Sequence, residues 1–312
     1  MRTNWKLKAI VQKGISYLPQ KEKINYWFQK RVTKGVELSD EHFRNKITHS
    51  KDHLHYFRKH SSKELKECNV LELGTGWYPI VPIAMYLSDV KEVISIDLRD
   101  WVKRENIYKT IKKFQEWRHR GELDSFLDYI NEEKWKNLGA IVDEQKELKE
   151  ICEIIGLKRI IGDARKTELE KESIDLICSN NTFEHIPEKV LKDILSEFKR
   201  VLKPGGVMSH FIDMTDHFAH FDSSITIYNF LKYSDRKWKW IDNSIQPQNR
   251  MRFKDYKVMY EKQHIDITEE KVRPGDTEEV AKVTLAKKYK DHTVDEIAIS
   301  HGYIVTKSAS SI

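Results

Sequence analysis

The sequence predicts an α/β protein: a doubly wound, mostly parallel seven-stranded sheet with a helical N-terminal extension and a helical insertion. Three observations predict it. Strand-like and helix-like patterns alternate from residue 69 onward, the arrangement of a parallel sheet covered on both faces. A glycine turn closes the first strand. A segment from Pro187 to Leu202 keeps Val190, Leu191, Ile194, Leu195, Phe198 and Leu202 on one helical face and stops at Lys203-Pro204-Gly205-Gly206, where the next apolar strand begins.

Residues 1–67 form the predicted extension. They hold 16 Lys and Arg against 7 Asp and Glu, while the remaining 245 residues hold 39 against 42, so the excess of the +6 net charge lies in this fifth of the chain. Within it Leu7, Ile10, Val11, Ile15 and Leu18 recur at helical spacing, with Lys6, Lys8 and Lys13 on other faces. Such a helix packs on its own domain with a solvated lysine face, or meets an anionic membrane surface or nucleic acid. His49, His53 and His60 could share one helical face, but no cysteine or fixed carboxylate accompanies them, and no metal set is expected.

From residue 68 to 312 one domain follows. Its strand candidates are Asn69–Leu73, Glu92–Leu98, Arg159–Gly162, Ile174–Ser179, Gly206–Ile212, His264–Thr268 and Gly302–Lys307. The charged stretch from about 100 to 158 is too long for a simple crossover and reads as a helical insertion. It and the extension are expected to cover the ligand crevice, since neither has a core of its own. The segment from about 213 to 260 is rich in aromatic, Asp and His residues and is placed to face an acceptor.

Composition excludes several classes. With 39% hydrophobic and 33% charged residues, and no apolar run near 18 residues, a membrane-spanning helix is not expected. Cys68, Cys152 and Cys178 are odd in number, far apart and in no CxxC spacing, which supports neither a disulfide framework nor a zinc ribbon. The first residues show no apolar h-region with a cleavage site, so a cytoplasmic location is expected.

The first strand runs into Val70-Leu71-Glu72-Leu73-Gly74-Thr75-Gly76-Trp77-Tyr78-Pro79. A glycine turn at the carboxyl edge of the first strand is where a doubly wound sheet binds a nucleotide, because Gly74 and Gly76 allow a tight bend and close approach. Asp97, 23 residues after Gly74, is placed to accept hydrogen bonds from ribose hydroxyls. A dinucleotide enzyme would share both features. Pro79 stands where GxGxxG needs its last glycine, and Glu72 stands two residues before the turn, where an acid can meet an ammonium group or order the loop. Both favour a zwitterionic, positively charged cofactor over a pyrophosphate.

With VLELGTG at 70–76, ISIDL at 94–98, GDAR at 162–165, IDLICSNNTFEHI at 174–186 and FKRVLKPGGVM at 198–208, the sequence resembles the class I S-adenosylmethionine-dependent methyltransferases of the type 11 kind. The motifs stand in that family's order over roughly half the chain. The resemblance implies a Rossmann-like methyltransferase fold and S-adenosylmethionine as cofactor. It implies a cofactor site at Glu72, Gly74, Thr75, Gly76, Asp97, Leu98, Asp163, Ala164, Asn180 and Asn181. Asp97 would hold the ribose, Asp163 and Ala164 would border the adenine, and Asn180 to His185 would floor the transfer site. The chain departs from the pattern at Trp77-Tyr78-Pro79 and in the long insertion before Asp163.

Transfer from a sulfonium is an in-line displacement, and a base is needed only for a poorly acidic hydroxyl or a protonated amine. After strand five the chain reads His210-Phe211-Ile212-Asp213-Met214-Thr215-Asp216-His217. His217 is the first candidate base, with Asp213 or Asp216 to orient it, and His185 is the second. Arg250 and Arg252 could hold an anionic acceptor group or could pair with carboxylates. No Asn-Pro-Pro-aromatic sequence follows strand four, and neither a Pro-Cys pair nor a CxxxCxxC triad is present. The stretch 217–236 with QPQNRMR at 246–252 resembles methyltransferases found beside cell-surface glycan biosynthesis. The expected acceptor is therefore a small molecule or glycan, methylated on oxygen, with nucleic acid disfavoured and no metal. The competing reading is an RNA- or membrane-associated protein of the same fold that binds through its basic N-terminal region.

Overall fold

The computed structural model describes residues 4–19 and 38–309, so parts of the basic N-terminal segment lie outside the described residues. Helix α1 spans Trp5–Ile15 and α2 spans Asp40–His60. Then come β1 (Asn69–Leu73), α3 (Ile80–Leu87), β2 (Glu92–Asp97), α4 (Arg104–His119), α5 (Glu132–Asp143), α6 (Leu148–Ile154), β3 (Leu157–Ile161) and β4 (Ile174–Asn180). The chain continues through α7 (Glu188–Val201), β5 (Leu202–Asp213), α8 (Asp235–Ile241), α9 (Phe253–Lys262), β6 (Ile267–Arg273), α10 (Thr277–Ala281), α11 (Val294–Ala298) and β7 (His301–Lys307).

The strands form one seven-stranded sheet in the order β3-β2-β1-β4-β5-β7-β6. The first five are parallel, and β7 pairs antiparallel with both β5 and β6. Chain progress reverses direction between β1 and β4, and the crevice outside their carboxyl ends is where such a sheet takes a ligand. β4 is buried along its whole length, as expected of a parallel strand covered on both faces.

Helices α2 to α6 cover one face. Phe43, Ile47 and Phe57 of α2 join Ile80 and Ile83 of α3 and Ile111, Phe114 and Trp117 of α4 in a single apolar layer. α7 and α9 cover the other face with Leu191, Leu195, Phe198, Tyr256 and Tyr260. A third cluster joins α1 to the segment after β5, through Trp5 and Ala9 against Phe218, Tyr228 and Phe230.

Several expectations need correction. β5 runs through Lys203-Pro204-Gly205-Gly206 instead of starting after it, with a register shift absorbing the extra residues. The strand expected at His264–Thr268 begins at Ile267, because Gln263 to Ile265 close the C-terminus of α9 through bonds to Met259, Tyr260 and Glu261. β6 is a charged edge strand, a composition that guards an exposed edge but hides the apolar alternation. The insertion is helical, yet α4 to α6 thicken one face of the sheet and supply no lining residue to either cavity described below. Trp101 packs on Trp77, with ring centroids 4.2 Å apart.

In α1 the expected apolar stripe is largely exposed, with Leu7 at 55% and Ile10 at 69%. Of that stripe Ile15 is buried, and its companions on the buried face are Trp5, Ala9 and Gln12. Aromatic partners decide the rotation: Trp5 lies 5.7 Å from Phe218 and 6.2 Å from Tyr233, and its backbone N–H donates to the Asp222 carboxylate at 2.9 Å. Among the described residues no helix is long and apolar enough to cross a membrane.

Candidate functional site

The glycine turn leaves β1 with Gly74 and Gly76 at φ of 82° and 75°, values that side chains on L-residues resist. A Cβ on Gly74 would stand 2.5 Å from the Thr182 hydroxyl, so this position also fixes the turn against the loop after β4. A Cβ on Gly76 would meet nothing within 4 Å, which leaves that backbone open to a ligand. The Gly76 N–H donates to Asp97 at 3.3 Å and so holds the β2 carboxylate beside the turn. Glu72 points inward and accepts from the Thr75 hydroxyl, which itself lies 2.7 Å from Ser95. These contacts tie the turn to β1 and β2.

Beside the turn lies a cavity of about 410 Å³, bounded by Gly74, Thr75, Gly76, Trp77, Tyr78, Asn180, Asn181 and His185 and roofed by His42, Asn45 and Lys46 of α2. The Lys46 ammonium donates to the Asn180 carbonyl at 3.1 Å. Burial lowers its pKa, while Glu72, Glu184 and Asp97 pull it back up. Burial raises Glu72 to about 7 and Asp97 to about 6, opposed by Thr75 and Lys46 for the first and by the Gly76 N–H and Lys46 for the second. His53 of α2 locks the floor, its two ring nitrogens 2.8 Å from Asn180 Oδ1 and 2.7 Å from Ser209 Oγ.

The other expected cofactor residues are placed differently. Leu98 is 76% exposed at the end of β2. The Asp163 carboxylate is held by Arg165 through its guanidinium and backbone N–H, and Ala164 is buried in the core with Leu71 and Ile94. None of the three lines the cavity, and Glu72 and Asp97 stand behind the glycine turn instead of in its lining.

A second cavity of about 470 Å³ adjoins the first, with Asn45 and Asn181 lining both. Lys8 and Gln12 of α1 wall one side, Arg273 and His301 another, and Asp213, His217, His220 and Gln246 a third. Asp213 lies 3.4 Å from His217 Nε2 and 3.5 Å from His301 Nε2, and accepts from the Thr215 N–H at 2.8 Å. Burial would raise the Asp213 carboxyl, but His217 and His301 outweigh it and hold it below the ordinary range. Asp216 does not orient His217: it accepts from Asn229 and from the Phe218 N–H. His217 and His185 meet edge to face with ring centroids 5.0 Å apart. His185 Nδ1 lies 2.7 Å from the Pro247 carbonyl, and burial, then His217, hold this ring down to about 4.

Arg250 and Arg252 line neither cavity and are taken up by protein groups. The Arg250 guanidinium donates to the Phe230 and Tyr233 carbonyls and to Asp235, and Arg252 donates to the carbonyls of Met214, Ile297 and Ile299. Both are buried props of the segment after β5. The cations that face the cavities, Lys8, Lys46 and Arg273, were missed because sequence spacing does not reveal which residues of α1, α2 and β6 converge. Glu184 was missed although it sits beside His185. It is 3% exposed, and neither carboxylate oxygen has a hydrogen-bond partner.

Comparison with known proteins gives a match of residues 135–209 to a family described as a methyltransferase domain. No curated protein matches the chain. Among solved structures, it is similar to the geranyl diphosphate C-methyltransferase of Streptomyces coelicolor A3(2), at 11% identity, 82% of this chain, 78% of that one and a TM-score of 0.44. It is similar to the phosphoethanolamine N-methyltransferase 2 of Haemonchus contortus at 12% identity, 91% and 59% coverage and a TM-score of 0.44. A third likeness, to the YcgJ protein of Bacillus subtilis, has 14% identity, 84% and 99% coverage and a TM-score of 0.43.

Proposed function

We propose that the chain transfers a methyl group from S-adenosylmethionine to an oxygen of a small-molecule or glycan acceptor. The observation that carries this reading is the junction of two cavities at Asn45, Asn181 and the facing rings of His185 and His217. One cavity lies at the glycine turn, and the other is lined by polar and ionisable groups. In-line transfer needs a donor and an acceptor approaching one methyl carbon from opposite sides, and two cavities that meet supply that alignment.

The residues of the first cavity and the Asp97 carboxylate bonded to its glycine turn suit the cofactor. Gly76 leaves room for its chain, and the Asp97 carboxylate is placed to accept from both ribose hydroxyls. Lys46 is placed to hold the methionine carboxylate, and the buried carboxylates around it suit a cationic sulfonium. When bound, the cofactor supplies the electrophilic methyl group. The protein's part is to align it, to exclude water with α2, and to make the acceptor oxygen nucleophilic at the centre formed by Glu184, His185, Asp213 and His217. Lys8 and Lys46 of the basic N-terminal region face the cavities, which supports substrate handling over surface binding to RNA or membrane. The test is incubation with S-adenosylmethionine deuterated in its methyl group and a cell extract. Mass spectrometry should find a small molecule or glycan carrying the label on oxygen; label on nitrogen or carbon, or none, overturns the assignment.

A further inference from the structure

We infer that Glu184, His185 and His217 bind one divalent cation of the transition series, such as Mn²⁺ or Co²⁺, at the junction of the two cavities. One ligand atom from each residue lies within 4.8 Å of the others, close enough for a single ion to gather them with small side-chain shifts. The second observation is the state of Glu184. A carboxylate this buried with both oxygens unpartnered is costly in any fold unless a cation or a network takes it up. Among the described residues no side-chain donor bonds either Glu184 oxygen, so only the nearby backbone N–H groups of Glu184 and Asp213 and the Lys46 charge offset its burial, whereas two imidazoles face it.

The histidines are set as ligands. The His185 Nδ1–H donates to the Pro247 carbonyl, which fixes the tautomer and leaves Nε2 with its lone pair, the usual outer support of a metal-bound imidazole. His217 Nε2 is buried, and its 3.4 Å approach to Asp213 lacks the alignment of a hydrogen bond, so in the neutral ring this nitrogen can turn its lone pair to a cation. The Gln246 side-chain amide stands 3.4 Å from His217 Nδ1 and can serve either tautomer by turning over. Two imidazoles and one carboxylate select a borderline transition cation over Ca²⁺ or Mg²⁺. Three protein ligands leave positions open toward the acceptor cavity.

The chemistry rests on the methyl-transfer reading above. An acceptor hydroxyl bound to the cation loses its proton to water in the open cavity. The resulting oxyanion attacks the methyl carbon as the carbon–sulfur bond breaks and its electron pair stays on sulfur, giving a methyl ether and neutral S-adenosylhomocysteine. His217 then acts as a ligand in place of the free base expected from the sequence.

The test titrates the full-length chain, stripped with a chelator, with Co²⁺ while visible absorption and calorimetry are recorded, and runs S-adenosylhomocysteine in parallel. One Co²⁺ per chain with a ligand-field spectrum is expected, weakened about 100-fold or more in Glu184→Gln and His217→Ala. His217 lies on the loop after β5, so that variant reports on the site even if the Glu184 variant fails to fold. Absence of saturable binding, or binding undiminished in His217→Ala, overturns the inference. S-adenosylhomocysteine binding without Co²⁺ binding leaves the cofactor reading standing and removes the metal; Co²⁺ binding without S-adenosylhomocysteine binding does the reverse.

Discussion

His185 and His217 stand edge to face, 5.0 Å between ring centroids, one lining the glycine-turn cavity and the other the cavity beyond it. One ring arrives on the turn after β4 and the other on the loop after β5, so their contact is made by the sheet bringing two carboxyl edges together. The predictions on cofactor affinity depend on that division into a cofactor side and an acceptor side.

Asp97→Asn should weaken S-adenosylhomocysteine binding about 10- to 100-fold, since a charge-assisted hydrogen bond contributes about 1.5–3 kcal/mol. The free variant should melt no lower than wild type, because its carboxylate is buried against its preference. Calorimetry and a thermal melt check both halves.

Cofactor affinity should fall as pH falls through about 6, where Asp97 takes up a proton and loses its charge as an acceptor. Stability of the ligand-free chain should move the opposite way. A carboxyl raised from 3.8 to about 6 on folding binds its proton more tightly in the native state, so the stability it contributes is present below 3.8 and lost as pH rises through 6. In Asp97→Asn the affinity dependence should flatten and the stability dependence should shrink to the part Glu72 contributes, as read by calorimetry and denaturant melts across pH 4–8.

Lys46→Met should lower affinity for S-adenosylhomocysteine about tenfold or more and leave affinity for 5′-methylthioadenosine, which lacks the carboxylate, nearly unchanged. Equal loss for both ligands would place Lys46 in the wall and not on the carboxylate.

Arg252→Ala should cost about 3 kcal/mol or more, because it removes a fully buried guanidinium from three backbone carbonyls and strands them. Chemical denaturation measures the loss. Cofactor affinity of the folded variant should stay near wild type, since the residue lines neither cavity.

The parallel core and the glycine turn were legible because they are local: β1, β4 and α7 each carry their burial pattern in their own residues, and Gly74, Gly76 and Asp97 follow from strand ends. What converges from distant parts of the chain was not. Lys8, Lys46 and Arg273 meet the cavities only because α1, α2 and β6 pack where they do. The apolar period of α1 pointed to the wrong face, since Trp5 found Phe218 and Tyr233. Arg250 and Arg252 looked like substrate clamps, yet the loop after β5 needed donors for its carbonyls more than a ligand needed cations. Glu184 was in plain view beside His185, but its lack of partners is a property only the folded chain has.

The most direct test of the account is calorimetric titration of the full-length chain with S-adenosylhomocysteine, followed by NAD under the same conditions. The account predicts saturable one-to-one binding of S-adenosylhomocysteine, a rise in melting temperature with its concentration, and no response to NAD. Absence of S-adenosylhomocysteine binding, or tighter binding of NAD, would contradict it.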